Sequence, residues 1–268
     1  MLSPDPLIDF TSVVGVDAKH LAQLQMTWPT WKRHKPSLLN HRMLIFYDRD
    51  QVTPEAVRLV VDHPNMAMLP WPMRGVSYQL PNTTKWNNSQ RYKMLAGFVH
   101  VPAIYCHTKY WLKLDTDVVA TGNDGWIDRN WFAHTPAIVS HPWGFSKPAD
   151  QMLILDDWAN THADVLPYFV NPPLNLKPGM GDDKVRHPRI ISWCAFFNLD
   201  FTRLAARMAD NSAGRFALPV PSQDGYLWYV AQRMNLDILR IDMKSLGWEH
   251  WHTMANVSHR SQEVMSNG

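Results

Sequence analysis

Apolar residues recur along this chain with two periods. Short runs dense in β-branched and aromatic residues read as buried strands, and stretches with apolar residues three or four apart read as helices. Ile8 to Val16 is a first strand, followed by a polar turn at Asp17–His20 and a helix carrying Leu21 and Leu24. Arg42 to Tyr47 is a second strand, after which Thr53-Pro54-Glu55 supplies a cap, a first-turn proline and a first-turn acid to a helix faced by Val57, Val60 and Val61. Asn65 to Trp71 is a third strand. A loop rich in Pro, Gly, Asn and Thr leads to a helix from Asn88-Ser89 to about Val101, with Met94, Leu95, Phe98 and Val99 on one side. Further strands are expected at Tyr110–Thr121, Ala137–Ser140, Ile190–Phe197 and Leu236–Met243, and further helices after Ala149, Leu199 and Asp224. Asn171 to Arg189 is polar, rich in Pro and Gly and without periodicity, which suits a lid. Strand and helix in alternation predict one α/β domain over residues 1–256. Its sheet is twisted and mostly parallel with helices on both faces, and 257–268 form a flexible polar tail.

Composition narrows the function. The 268 residues suffice for a large single core. A net charge of +2 with no block of Lys or Arg argues against a nucleic-acid surface. Cys106 and Cys194 make neither a disulfide framework nor a C-x-x-C pair, so a reducing, cytoplasmic setting is expected. The opening M-L-S-P-D-P-L-I-D-F does not read as a signal peptide, and no apolar run approaches the roughly 20 residues that span a bilayer.

The chemistry gathers in Y-W-L-K-L-D-T-D-V-V-A-T, residues 110–121. Asp115 and Asp117 stand in the middle of an apolar run, where unpaired carboxylates are costly and a close pair needs a cation. A divalent ion with oxygen ligands, Mn²⁺ or Mg²⁺, meets that need and in turn holds phosphates. A D-x-D triplet also occurs in ordinary solvated turns. Here it ends a hydrophobic strand in mid-chain, where open α/β sheets place ligands.

In L-K-L-D-T-D-V-V-A and in the order of elements around it, the chain resembles the GT-A glycosyltransferases, which use nucleotide-sugar donors and an Asp-x-Asp metal motif. The resemblance covers roughly Asp9 to His252, and its specific part is D-T-D. It implies a GT-A-like, Rossmann-related sheet and transfer of a sugar from a nucleotide-diphosphate sugar, UDP-linked by default, to a hydroxyl of a saccharide or other acceptor. Asp115 and Asp117 hold the metal, with Asp115 and Thr116 beside the donor. Asp17 and Lys19, in the loop after the first strand, face the base and ribose. Asp17 is also placed to cap the helix. Asp48 ends the second strand on the same edge and is either a further donor contact or a solvated turn acid. Arg91 and Lys93 are candidates for the phosphates, or lie on a solvated helix face. Asp224 occupies the position of the catalytic base of inverting members. Gln223 stands where many of these carry a second acid, the same Gln-Asp also resembles the Asp-Gln pair of some retaining members, and first-turn acids serve as caps as well. A third metal ligand is expected from His250 or His252, which alternate if extended, with His252 favoured. Trp193 reads as core more than as a stacking platform.

Two other readings compete. A haloacid-dehalogenase-type phosphotransferase also places Asp-x-Asp after an apolar strand, with Asp115 as nucleophile and Gly181-Asp182-Asp183 imitating its acidic motif. Three preceding strands, and the absence of a strand before that acidic pair, count against it. An inactive nucleotide-sugar-binding module on the same scaffold is the third.

Overall fold

The computed structural model describes residues 9–72, 77–78, 89–122, 124–143, 149–173, 189–211, 215–216, 218–220 and 222–267, without the side chains of 77–78, 89–93, 143, 149–151, 189–191, 210–211 and 215–216. The strands are β1 (Phe10–Val16), β2 (Arg42–Asp48), β3 (Met66–Trp71), β4 (Ser77–Tyr78), β5 (Tyr110–Leu114), β6 (Val118–Ala120), β7 (Ile138–Trp143), β8 (Arg189–Asn198), β9 (Asp210–Asn211), β10 (Arg215–Phe216), β11 (Ile238–Arg240) and β12 (Trp248–His250). The α-helices are α1 (Ala18–His34), α2 (Pro54–Val60), α3 (Ser89–Tyr105), α4 (Ala149–Thr161), α5 (Leu199–Ala209), α6 (Gln223–Arg233) and α7 (Met254–Ser266).

Seven strands form the main sheet in the order β11-β7-β8-β5-β1-β2-β3. Its pairings are parallel except at β8, which runs antiparallel to both β5 and β7. Helices cover both faces, so the central strands are apolar almost throughout, and every residue of β1 and β5 is buried. Alternate residues enter opposite cores. Val13, Leu44, Phe46, Trp111 and Phe197 pack on one side with residues of α3, α4, α5 and α6. Phe10, Val14, Ile45, Leu112 and Phe196 pack on the other with residues of α1.

Two small sheets complete the chain: β4-β10-β9, and the antiparallel pair β12-β6. β6 falls within the run expected as one strand, Tyr110–Thr121, which the D-T-D turn divides into β5 and β6, whereas β12 was absent from the expected elements because three residues are too short to show a period. The last expected strand shrinks to β11. The stretch expected as a flexible tail is α7, capped by Thr253, whose hydroxyl accepts from Asn256 N at 3.2 Å. Val257, Ser261 and Val264 are its buried face. Of the expected lid, 174–188 lie outside the described residues. Among the described residues no helix is long and apolar enough to cross a membrane.

A buried ionic knot ties α4 to α6. Asp156 accepts from Tyr229 Oη at 2.6 Å and from Arg233 Nη1 at 3.2 Å, and the guanidinium lies 4.6 Å from the Phe169 ring centroid. Asp156 is 7% and Arg233 3% exposed, so removing either charge strands the other in a poorly solvated place. Arg233→Leu is expected to cost about 3–5 kcal/mol in urea unfolding. A loss under about 1 kcal/mol would show that the pair is not held as ions.

Candidate active site

A cleft of about 640 Å³ opens at the C-terminal ends of β1, β2 and β5. Gly15, Asp17, Lys19 and His20 border it after β1, and Gln51 after β2. Met94, Leu95 and Phe98 of α3 give it an apolar wall. Lys113, Asp115, Thr116 and Asp117 lie along its floor, with Gln223 of α6 and His250 and His252 completing it.

The D-T-D turn is laced to its surroundings through its backbone. Asp115 N donates to Trp193 O at 2.9 Å, which continues the β5–β8 ladder past the strand end. Thr27 Oγ1 of α1 donates to Thr116 O at 2.9 Å, and Trp31 Nε1 to Val118 O at 2.6 Å. The hydroxyl of Thr116 points into α1 and donates to Gln23 at 2.9 Å.

Asp115, Asp117 and His250 each offer a ligand atom within 4.8 Å of the others, and His250 Nε2 lies 3.2 Å from Asp117 Oδ1. The donor set of two carboxylates and an imidazole, all partly exposed to the cleft, suits Mn²⁺ or another divalent ion. Pairing of β12 with β6 brings the histidine here: His250 sits opposite Val118, and Trp251 N donates to Asp117 O at 3.0 Å. His252, the histidine favoured from the sequence, lies beyond the strand and is exposed, its ring nearly perpendicular to that of His250 at 4.4 Å. Alternation over 250–252 requires an extended strand, and β12 ends at His250.

Lys113 was not anticipated. It is 1% exposed, donates to Asp115 Oδ1 and, at 3.1 Å, to Ser192 O, and stands 4.6 Å from the Phe98 ring centroid. Its signal was a lysine inside a fully apolar strand, two residues before Asp115 and therefore on the same face. Burial works against the charge of Asp117, but the hydrogen bond and charge of His250, with Lys113 behind, outweigh it and hold the carboxyl below its ordinary range.

The remaining expected residues separate. Asp17 borders the cleft and caps α1, accepting from His20 N at 2.9 Å and facing His20 Nδ1 at 2.7 Å. Lys19 is exposed on the rim. Asp48 is 4% exposed and accepts from Asp50 N at 3.0 Å and Gln51 Nε2 at 2.7 Å, so in that loop it is Gln51 that borders the cleft. Arg91 and Lys93 lie near the start of α3, with side chains outside the described residues. Asp224 accepts from Ser192 Oγ and, at 3.3 Å, from Ser192 N, while its neighbour Gln223 borders the cleft. Burial pushes the Asp224 carboxyl up, against the charge of Lys113 and the hydrogen bonds from Ser192.

A scan of protein-family models and a search of curated proteins found no match. Solved structures do match. Core-mannan synthase A (CmsA/Ktr4) from Aspergillus fumigatus, in its Mn/GDP form, is 13% identical over 90% of this chain and 74% of its own, with a TM-score of 0.60. The galactosyltransferase LgtC, in complex with donor and acceptor sugar analogs, is 9% identical over 96% of each chain, with a TM-score of 0.52. The mannosyltransferase Ktr4p from S. cerevisiae is 13% identical over 92% of this chain and 72% of its own, at 0.51. The fold is GT-A. The expected architecture is thus borne out, including the mostly parallel sheet with D-T-D at the end of a central strand.

One buried cation supports the C-terminal part of this GT-A site. Lys35, just past α1, is fully buried and donates to Leu246 O at 2.8 Å. That carbonyl precedes Gly247, whose φ is +78° and where a Cβ would stand 2.0 Å from Thr121 O, so the entry into β12 requires glycine. Burial pulls the Lys35 ammonium down to about 8 from 10.5, against the charges of Asp124 and Cys194. Between about pH 8 and 10.5 the unfolded chain therefore holds a proton that the folded chain has released, and stability rises with pH across that window. The expected rise is up to about 3 kcal/mol in denaturant midpoints converted to free energy, and it should be missing from Lys35→Met. Parallel profiles for the two proteins would exclude the assignment.

Proposed function

We propose that this chain is a metal-dependent glycosyltransferase that moves a sugar from a nucleotide-diphosphate sugar to an acceptor hydroxyl. The observation that carries the reading is the Asp115, Asp117 and His250 group, set on the floor of a cleft at the C-terminal edge of a GT-A sheet. The similar solved structures support it: they are a core-mannan synthase in a Mn/GDP form, a mannosyltransferase, and a galactosyltransferase with donor and acceptor sugar analogs. A divalent ion held by the group, Mn²⁺ by that precedent, supplies positive charge for a leaving diphosphate.

The chain's own residues divide the remaining work. Lys113 holds one oxygen of Asp115 and adds a buried positive charge to the floor. Met94, Leu95 and Phe98 keep one side of the cleft apolar and so limit water beside the donor. Gln51, Asp17 and Lys19 border the end where the base and ribose are proposed to lie. Asp224 is proposed as the base that accepts the acceptor's proton, which gives an inverting reaction, and burial raises its pKa, the direction that strengthens a carboxylate as a proton acceptor. The phosphotransferase alternative needs Asp115 free to attack, whereas Lys113 engages it, and Gly181-Asp182-Asp183 lies outside the described residues.

Calorimetric titration with GDP and UDP, first with Mn²⁺ and then with EDTA, tests the metal site. One diphosphate should bind, lose its binding on chelation, and fail to bind Asp115→Asn or Asp117→Asn even though both variants remain folded. Binding that survives EDTA, or that Asp117→Asn retains, overturns the reading. For the base, Asp224→Asn should lower turnover about 10²- to 10⁴-fold with donor affinity within about threefold. Unchanged turnover removes Asp224 from that role.

A further inference from the structure

β8 leaves the β7 ladder as it passes the site. Ser140 pairs with Ala195 and the next residue, His141, pairs with Ile191, so Ser192, Trp193 and Cys194 have no partner on β7. Such a bulge re-aims side chains. Alternation from Ala195 and Phe197 would send Trp193 to the core that holds those two residues. It turns instead into the opposite core, with Cys194 and Phe196.

There the Trp193 ring lies parallel to that of His250, with centroids 5.8 Å apart and an interplanar angle of 8°. His141 tilts against Trp193 at 5.5 Å, and its Nδ1 accepts from Met243 N at 3.2 Å, which steadies the row from the β7 side. A metal-binding imidazole usually has its plane fixed by a hydrogen bond on its second nitrogen. A flat indole face packed parallel to the imidazole favours one ring plane over the others. Filling space alone does not require the two rings to be parallel.

We propose that Trp193 is a positioning residue for the metal group: its indole fixes the plane of His250 so that Nε2 addresses Asp117 and the bound ion. This rests on the metal-dependent reading above.

The test is Mn²⁺ alone, titrated into the intact chain and followed by electron paramagnetic resonance, with thermal unfolding as a check on each variant. Trp193→Met fills the volume without a flat face and should weaken Mn²⁺ binding about tenfold, whereas Trp193→Phe should stay within about threefold of the original. In a His250→Ala background, Trp193→Met should add no further loss, because both changes act through one ligand. Mn²⁺ affinity within about twofold in Trp193→Met, or an equal loss in both backgrounds, overturns the proposal. If Trp193→Met does not fold, Trp193→Leu takes its place in the same cycle with the same expected and overturning results. Failure of the metal reading looks different. In that case the unaltered chain fails to bind Mn²⁺, with or without GDP or UDP, or Asp117→Asn binds it equally well, and the role of Trp193 falls with it.

Discussion

Two carboxylates one residue apart at the end of a buried strand repel each other, and low local polarity enlarges the repulsion. Much of the structure around Asp115 and Asp117 offsets it. Lys113 reaches up from the same face of the strand to Asp115, and His250 arrives from a separate strand beside Asp117. Neither partner removes the group's capacity for a further cation, since both acids stay partly open to the cleft. The arrangement is accessible, with its two acids only partly answered.

The antiparallel strand β8 brings the rest together. A parallel neighbour of β5 would start at the far edge of the sheet and end at the cleft, beside the D-T-D turn. β8 instead begins near the cleft, so its early residues serve the site while its later ones fill the core. The bulge opposite Ser140–His141 is where this happens. Ser192 takes Asp224 by hydroxyl and amide, its carbonyl takes Lys113, and the carbonyl of Trp193 takes Asp115 N. Two acids from distant parts of the sequence, and the lysine that engages one of them, are thus registered against a stretch of two residues.

Long-period features were legible in the sequence. The runs that became β1, β2, β5 and β8 are dense enough to announce themselves, and D-T-D stood out because charge interrupts one of them. What stayed hidden depends on contacts between distant segments. Alternation offered His250 and His252 equally, and the register of β12 on β6 separates them. Its position at a strand end predicts Asp48 at the cleft edge, but hydrogen bonds from Asp50 N and Gln51 Nε2 take up its carboxylate and leave Gln51 at the cleft. The tail read as polar because three small or β-branched residues suffice for α7 to settle on the fold. Lys113 is a different case. A lone lysine in Y-W-L-K-L, in phase with Asp115, was visible, and the same-face rule applied to the lysine identifies the pair.

The separation of His250 from the two aspartates along the chain has a consequence for synthesis. Asp115 and Asp117 emerge from the ribosome, and β5 has neighbours to pair with, well before β12 exists. During that interval the nascent chain carries an acidic turn without its imidazole. The three side chains come together only when β12, later in the chain, docks on β6 and Gly247 makes its turn.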